Sequence, residues 1–136
     1  MLRNTLALVL GLIVGMAINM GIIMLNSSVF FPMPEGTSMA DPAQMNAYVA
    51  SLPIIALLVV MVAHLGQAFV GGFVAARVAA SRPMLLAMII GALSLLGGIM
   101  NAMSIQTPTW FYIEMPLYLV AAWSAGRIAI GQRKAS

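Results

Sequence analysis

The chain has no cysteine, which excludes disulfides, thiolate metal sites and thiol catalysis. Charge is nearly as scarce. Three acidic residues, six basic ones and a single histidine serve 136 positions, and charged residues make up 7% of the chain. A soluble domain carries about 25%. A water-soluble fold needs a polar shell, and so few charges cannot cover one; hydrocarbon is the solvent that tolerates such a surface. The net charge of +3 does not argue for nucleic acid, because the basic residues stand singly at segment ends, without a basic patch or a stacking-aromatic pattern. What is abundant is apolar: 62% of the residues are hydrophobic, and 13 residues are methionine, a soft filler of helix contacts more often than a metal-binding stripe.

The length suits one domain, 1–136, and the fold class expected is all-α: a four-helix transmembrane bundle. Hydropathy and helix breakers place the spans at about 6–25, 52–76, 83–103 and 109–130. Roughly 20 apolar residues at 1.5 Å each match a hydrocarbon core of about 30 Å. The opening Met1-Leu-Arg-Asn-Thr5 looks like a signal-peptide start, but the apolar run continues to Leu25 without an Ala-x-Ala site, so it reads as a retained helix. Residues 26–51 form a long loop rich in proline, with a short interfacial helix over 42–51. Asp41 can cap that helix, Pro42 suits its first position and Gln44 completes a capping box. Pro53 should kink or break the helix before the second span. Ser81 with Pro83, and Thr107 with Pro108, are expected to start the third and fourth spans, and Gly131 to stop the fourth before a polar tail.

Orientation follows from the basic residues. Arg3, Arg77, Arg82, Arg127, Arg133 and Lys134 all fall on one side of an even number of spans, and the long loop and last turn have none. Basic residues are retained on the cytoplasmic side, so both termini are expected there. Trp110, Phe111 and Tyr112 then fall at the outer interface, where aromatic residues favour the headgroup boundary. Unequal loops between the two helix pairs do not support an inverted-repeat transporter.

Four polar residues, Asn19, His64, Asn101 and Glu114, lie one to each span. At 100° per residue, each shares a face with small residues: Asn19 with Gly15; His64 with Ala68, Gly71 and Ala75, and Gln67 at the edge; Asn101 with Ser94, flanked by Gly97 and Gly98; Glu114 with Tyr118, Ala121 and Ala125. Small residues let helices approach closely in lipid, so these faces should point inward. All four polar residues fall in the outer half of the membrane, which suggests a polar pocket formed by Glu114, His64, Asn19, Asn101, Gln67 and Tyr118. Pro116 is expected to free the carbonyl of Tyr112 and kink the fourth span beside Glu114. Glu114 and His64 can form a proton relay or simply an interhelical hydrogen bond; Asn19 and Asn101 read first as interhelical glue. One His and one Glu make a weak metal signal, since sites generally need three protein ligands, and no metal or cofactor is expected.

The glycines and alanines at Gly11, Gly15, Gly71, Gly72, Ala75, Gly97 and Gly98 are expected to be helix-packing positions, either within the chain or in self-association. No phosphate loop follows Gly15, and no Gly-x-Ser-x-Gly elbow holds a nucleophile, so no catalytic residue is assigned.

The runs Gly15-Met-Ala-Ile-Asn19-Met-Gly21, Pro32-Met-Pro-Glu-Gly36, Pro108-Thr-Trp110-Phe and Ala122-Trp123-Ser-Ala-Gly126 resemble small four-helix bacterial inner-membrane proteins. The resemblance covers nearly the whole chain and implies a bacterial inner membrane and no particular chemistry. The chain does not resemble the fluoride channels, whose Asn-rich signature it lacks, or the small multidrug exporters, whose first helix carries a central acid. Three functional classes follow. The first is a structural or accessory module packing against itself or a larger membrane-protein partner among membrane lipids. The second is a small transporter or channel subunit with a proton or solute site at Glu114 and His64. The third is a membrane enzyme acting on a lipid or quinone.

Overall fold

The computed structural model describes residues 2–135, and all regular structure among them is helical. Met1 and Ser136, the two ends of the expected domain, lie outside the described residues. Helix α1 is Leu2–Leu25 and runs on through a π-helical turn at Asn26–Phe30; α2 is Pro42–Ser51, α3 Ile54–Val78 and α4 Pro83–Ser104. A 3-10 turn at Thr109–Ile113 leads into α5, Glu114–Ala135.

Three of these segments, Leu2–Phe30, Ile54–Val78 and Pro83–Ser104, are long and apolar enough to cross a membrane. Their packing is the reverse of a soluble protein's. The residues buried in α1 are Ala7, Gly11 and Gly15, while Leu6, Leu10, Ile13, Met16 and Met20 are exposed. A water-exposed surface of this kind would aggregate, whereas lipid solvates it. These helices fit a membrane protein. The fourth expected span, 109–130, is not of the same kind: α5 carries Glu114 at its start and Arg127, Arg133 and Lys134 toward its end.

Helix α3 is the common neighbour, packed against α1, α4 and α5, while α1 touches α4 only sparingly. Helices α1 and α3 approach backbone to backbone. A Cβ added at Gly11 would stand 2.6 Å from the carbonyl oxygen of Gly71, and one at Gly15 would stand 2.7 Å from that of Gln67. The bare backbones of Gly11, Gly15 and Gly71 therefore set the α1–α3 distance, and Ala75 is fully buried beside them. Gly72 faces Ala122 of α5. The small-residue motif is thus used inside the chain.

One end of the molecule is sealed by side chains. Asn4 Oδ1 accepts from the backbone N–H groups of Ala80 and Ser81 at 2.9 and 3.2 Å, and its Nδ2 donates to Ser81. Arg3 Nε donates to the carbonyl of Val78, and Arg133 to that of Ala76, both at 2.9 Å. Both chain ends and the 79–82 turn therefore share one end, below a core of Ala7, Ala75, Ala79, Leu86 and Ile90. The opposite end holds the long loop. There Asp41 caps α2 as expected, its Oδ1 accepting from Ala43 N and Gln44 N, but Gln44 does not close the expected box: its Nε2 donates to Asp41 Oδ2 at 2.9 Å and its Oε1 accepts from Ser38 N, while the Asp41 N–H goes to the Ser38 carbonyl. Pro53 breaks the chain rather than kinking it, with Leu52 and Pro53 both extended between α2 and α3.

Several expected boundaries move, each for a local reason. Helix α1 starts at residue 2, because Arg3 and Asn4 find partners on the 78–81 segment. Ser81 does not cap α4. Arg82, in the left-handed region at φ 51°, precedes Pro83, and the Ser81 hydroxyl is engaged by Asn4. Thr107 caps nothing; the chain enters a 3-10 turn instead. Because α5 starts only at Glu114, Pro116 lies in its first turn, where a missing N–H costs no hydrogen bond of that helix. Gly131 does not stop α5: glycine in a helix costs only about 1 kcal/mol relative to alanine, and Arg133 is held one turn from the end.

Candidate functional site

Glu114 is the acid of the first turn of α5, and it is 1% exposed. Its carboxylate faces the imidazole of His64 on α3, with Nδ1 at 3.1 Å from Oε2 and 3.3 Å from Oε1. One helical turn further along α5, Tyr118 donates its hydroxyl to Glu114 Oε1 at 3.3 Å. The Tyr118 ring lies nearly parallel to the imidazole, with centroids 6.4 Å apart, and Phe111 meets the imidazole edge-on at 6.2 Å. The Tyr118 ring fits because α4 is bare opposite it: a Cβ at Gly98 would lie within 2.7–2.9 Å of three ring atoms. A buried carboxylate needs partners on both oxygens, and this one has an imidazole and a phenol. With Nδ1 engaged, the second imidazole nitrogen, Nε2, has no hydrogen-bond partner among the described residues.

Two cavities meet at His64. The first, about 260 Å³, is the more polar: Asn19 of α1, His64 and Gln67 of α3, Ser94 and Asn101 of α4, and Tyr118 of α5 supply its walls, with Ile23, Gly97 and Gly98 between them. The second, about 220 Å³, lies under the long loop and is apolar: Met20, Met33, Met39 and Met45 line it with Leu57, Val60 and Phe111. Ile23, His64 and Asn101 belong to both.

Four buried side-chain oxygens accept no hydrogen bond from the described residues: Asn19 Oδ1, Asn26 Oδ1, Ser94 Oγ and Thr107 Oγ1. All four residues line one of these two cavities, Asn19 and Ser94 the polar one and Asn26 and Thr107 the apolar one. An unpartnered buried polar group costs about 1–3 kcal/mol. They collect around two adjoining chambers that share three wall residues, where a packed core would leave few such groups unpaired.

Of the six residues expected to form a polar site, Asn19, His64, Gln67, Asn101 and Tyr118 share the polar cavity, and Glu114 stands behind it, bonded to two of its walls. The glue reading of Asn19 does not hold for its oxygen, which is buried and accepts no hydrogen bond from the described residues. Gly97 is not a packing position within the chain: it is exposed, lines the cavity, and has no neighbour within 4 Å of an added Cβ. Sequence reasoning placed Asn26 and Thr107 in loops and missed the apolar chamber, which a helical wheel cannot reveal because the loop supplies much of its roof. His64 and Glu114 remain two ligand-type residues, and among the described residues no group of three could hold a metal ion. No family model, curated protein or solved structure matches this chain.

Proposed function

We propose that this is a four-span membrane protein of the bacterial inner membrane, with both termini cytoplasmic, and that it takes up a proton together with a small solute at the His64–Glu114 pair. The observation that carries the reading is the Tyr118–Glu114–His64 chain, with Tyr118 and Glu114 buried and the partly exposed His64 ending it on a chamber with unpartnered polar walls. Ionisable groups at such depth are expensive, and they commonly mark proton or ion pathways. A fourth span along α5 is consistent with its 22 residues, about 33 Å at 1.5 Å each. Glu114 is shielded by His64 and Tyr118 at one end, while Arg127, Arg133 and Lys134 sit near the other, where basic residues favour the cytoplasmic side. The polar chamber then faces the outer half of the bilayer.

A packing module acting on a partner is the competing reading. It would present small-residue stripes outward, whereas Gly11, Gly15, Gly71, Gly72 and Gly98 are buried inside the chain. The proton-coupled reading is tested in proteoliposomes carrying an imposed pH gradient. Wild type should dissipate the gradient faster than protein-free vesicles, and Glu114→Gln and His64→Gln should fall to the vesicle background. Variants indistinguishable from wild type would remove the pair from function. Reporter fusions that place head and tail on opposite sides would refute the topology.

A further inference from the structure

We propose that the two chambers are one site for a neutral, oxygen-bearing amphiphile of the quinone class, its ring in the polar chamber against His64 and its chain in the methionine-lined chamber. This rests on the reading of His64–Glu114 as a proton-handling pair and names the solute that pair would serve.

The shape comes first. The chambers share Ile23, His64 and Asn101, and they differ in polarity: Asn, Gln and Ser give the first its polar walls, while the second is mostly Met and branched aliphatics with Asn26, Ser27 and Thr107 among them. Their volumes of about 260 and 220 Å³ place the pair within the range of small-molecule sites, roughly 300–1,000 Å³. A small hydrophilic solute would leave the apolar chamber unused, and a plain hydrocarbon would leave Ser94 Oγ without an acceptor and Asn19 Oδ1 without a donor; a ring carbonyl serves the first, and only the hydroxyl of the reduced ring serves the second. Methionine suits a flexible chain because it repacks around irregular apolar shapes.

The charge of the head follows from the walls. No Lys or Arg lines either chamber, so a phosphate or carboxylate head would enter without a counter-charge. The only carboxylate nearby, Glu114, is already held by His64 and Tyr118. The head must therefore be neutral. Its oxygens must meet His64 Nε2, which accepts when the imidazole is neutral and donates when it is protonated. A ring carbonyl accepts from the protonated imidazole and a ring hydroxyl donates to the neutral one, so the same nitrogen binds either oxidation state of the ring without interconverting them. The route of entry is lateral. The polar chamber lies between Asn19 and Ile23 of α1 and Ser94 and Gly97 of α4, helices that touch sparingly, and bare, exposed Gly97 leaves its edge open.

The test uses full-length protein in detergent with Trp123→Phe as background, so that Trp110 is the only tryptophan. Trp110 packs 5.6 Å from Phe111, a wall of the apolar chamber, which makes its fluorescence a local reporter of a quenching ring. A decyl-substituted benzoquinone is titrated, with decyl phosphate as a competitor of equal chain length. Saturable quenching is expected, with decyl phosphate competing at least tenfold less well than unlabelled decyl alcohol. Gly97→Leu, whose Cβ meets nothing within 4 Å and whose branch extends over the open edge, should weaken quinone binding tenfold or more, and Ser94→Leu should do the same. Quenching that rises linearly without saturation, equal competition by the phosphate, or unchanged affinity in Gly97→Leu would each overturn the proposal. Absence of quinone binding alongside a proton uptake that Glu114→Gln abolishes would sink the amphiphile alone and leave the proton site standing.

Discussion

Two neighbouring glycines of α4 provide a controlled perturbation of the site. Gly97 and Gly98 sit on the same helix, one residue apart, so replacing either with alanine gains the same helix propensity, about 1 kcal/mol. Their surroundings are opposite. At Gly97 the new methyl meets nothing within 4 Å, whereas at Gly98 it lands 2.7 Å from Tyr118 Oη, 2.8 Å from Cε2 and 2.9 Å from Cζ. Normal carbon contacts are about 3.5–4.0 Å, so the Tyr118 ring must retreat by roughly 1 Å. The Tyr118–Glu114 hydrogen bond is already 3.3 Å long and cannot follow. Overpacking costs about 1–3 kcal/mol, and the lost hydrogen bond about 0.5–1.5 kcal/mol. The propensity gain cancels between the two variants, so Gly98→Ala should be less stable than Gly97→Ala by about 2–4 kcal/mol. Reversible unfolding in mixed micelles, followed by far-UV circular dichroism, measures the difference. Stabilities within about 0.5 kcal/mol of each other, the usual effect of a substitution that touches nothing, would refute the placement of Tyr118 against α4.

Other contacts make separate predictions. Gly11→Ala drives a methyl into the Gly71 carbonyl, a backbone atom that cannot swing aside, and should lower stability by about 1–3 kcal/mol in the same assay. Asp41→Ala removes the cap of α2 and should cost about 1 kcal/mol locally, seen as faster hydrogen exchange at the amides of Ala43 and Gln44. Tyr48 donates its hydroxyl to the carbonyl of Phe31 at 2.6 Å, and burial pushes its phenol above the ordinary value of 10. The neutral phenol is the folded form, so its contribution is intact below pH 10 and is lost as pH rises through the higher folded value. Limited proteolysis of the 31–41 loop should accelerate above pH 10, and Tyr48→Phe should be cleaved readily at lower pH as well.

The parts of this structure that were legible in the sequence are those with local causes. Pro53 lacks an N–H and restricts Leu52, so the break before α3 had to fall there. Asp41 and Pro42 carry their capping chemistry in adjacent positions. The convergence of Asn19, His64, Gln67, Asn101 and Tyr118 on one cavity followed from helical periodicity combined with small-residue faces, because in lipid only such faces allow close approach. What could not be read depends on partners far along the chain. Ser81 and Thr107 have the right chemistry for caps, but Asn4 takes the first and a 3-10 turn displaces the second. Pro116 is a helix breaker only relative to where its helix starts, and that start is set by the packing of Phe111 and Glu114 against α3. The apolar chamber needs the loop from 33 to 49 folded over it, and no periodicity records that closure.

The central claim is that the imidazole of His64 is held by Glu114 through Nδ1 and offers Nε2 to the chamber. His64 is the sole histidine of the chain, so nitrogen NMR of ring-labelled histidine in bilayers reports this one side chain without assignment. The hydrogen bond that one ring nitrogen makes sets where the proton resides. In wild type the proton is expected on Nδ1, and adding the decyl benzoquinone should shift Nε2 while leaving Nδ1 in place. Glu114→Leu should release Nδ1 and redistribute the proton between the two nitrogens. A wild-type ring with its proton on Nε2, or a spectrum unchanged by Glu114→Leu, would contradict the account.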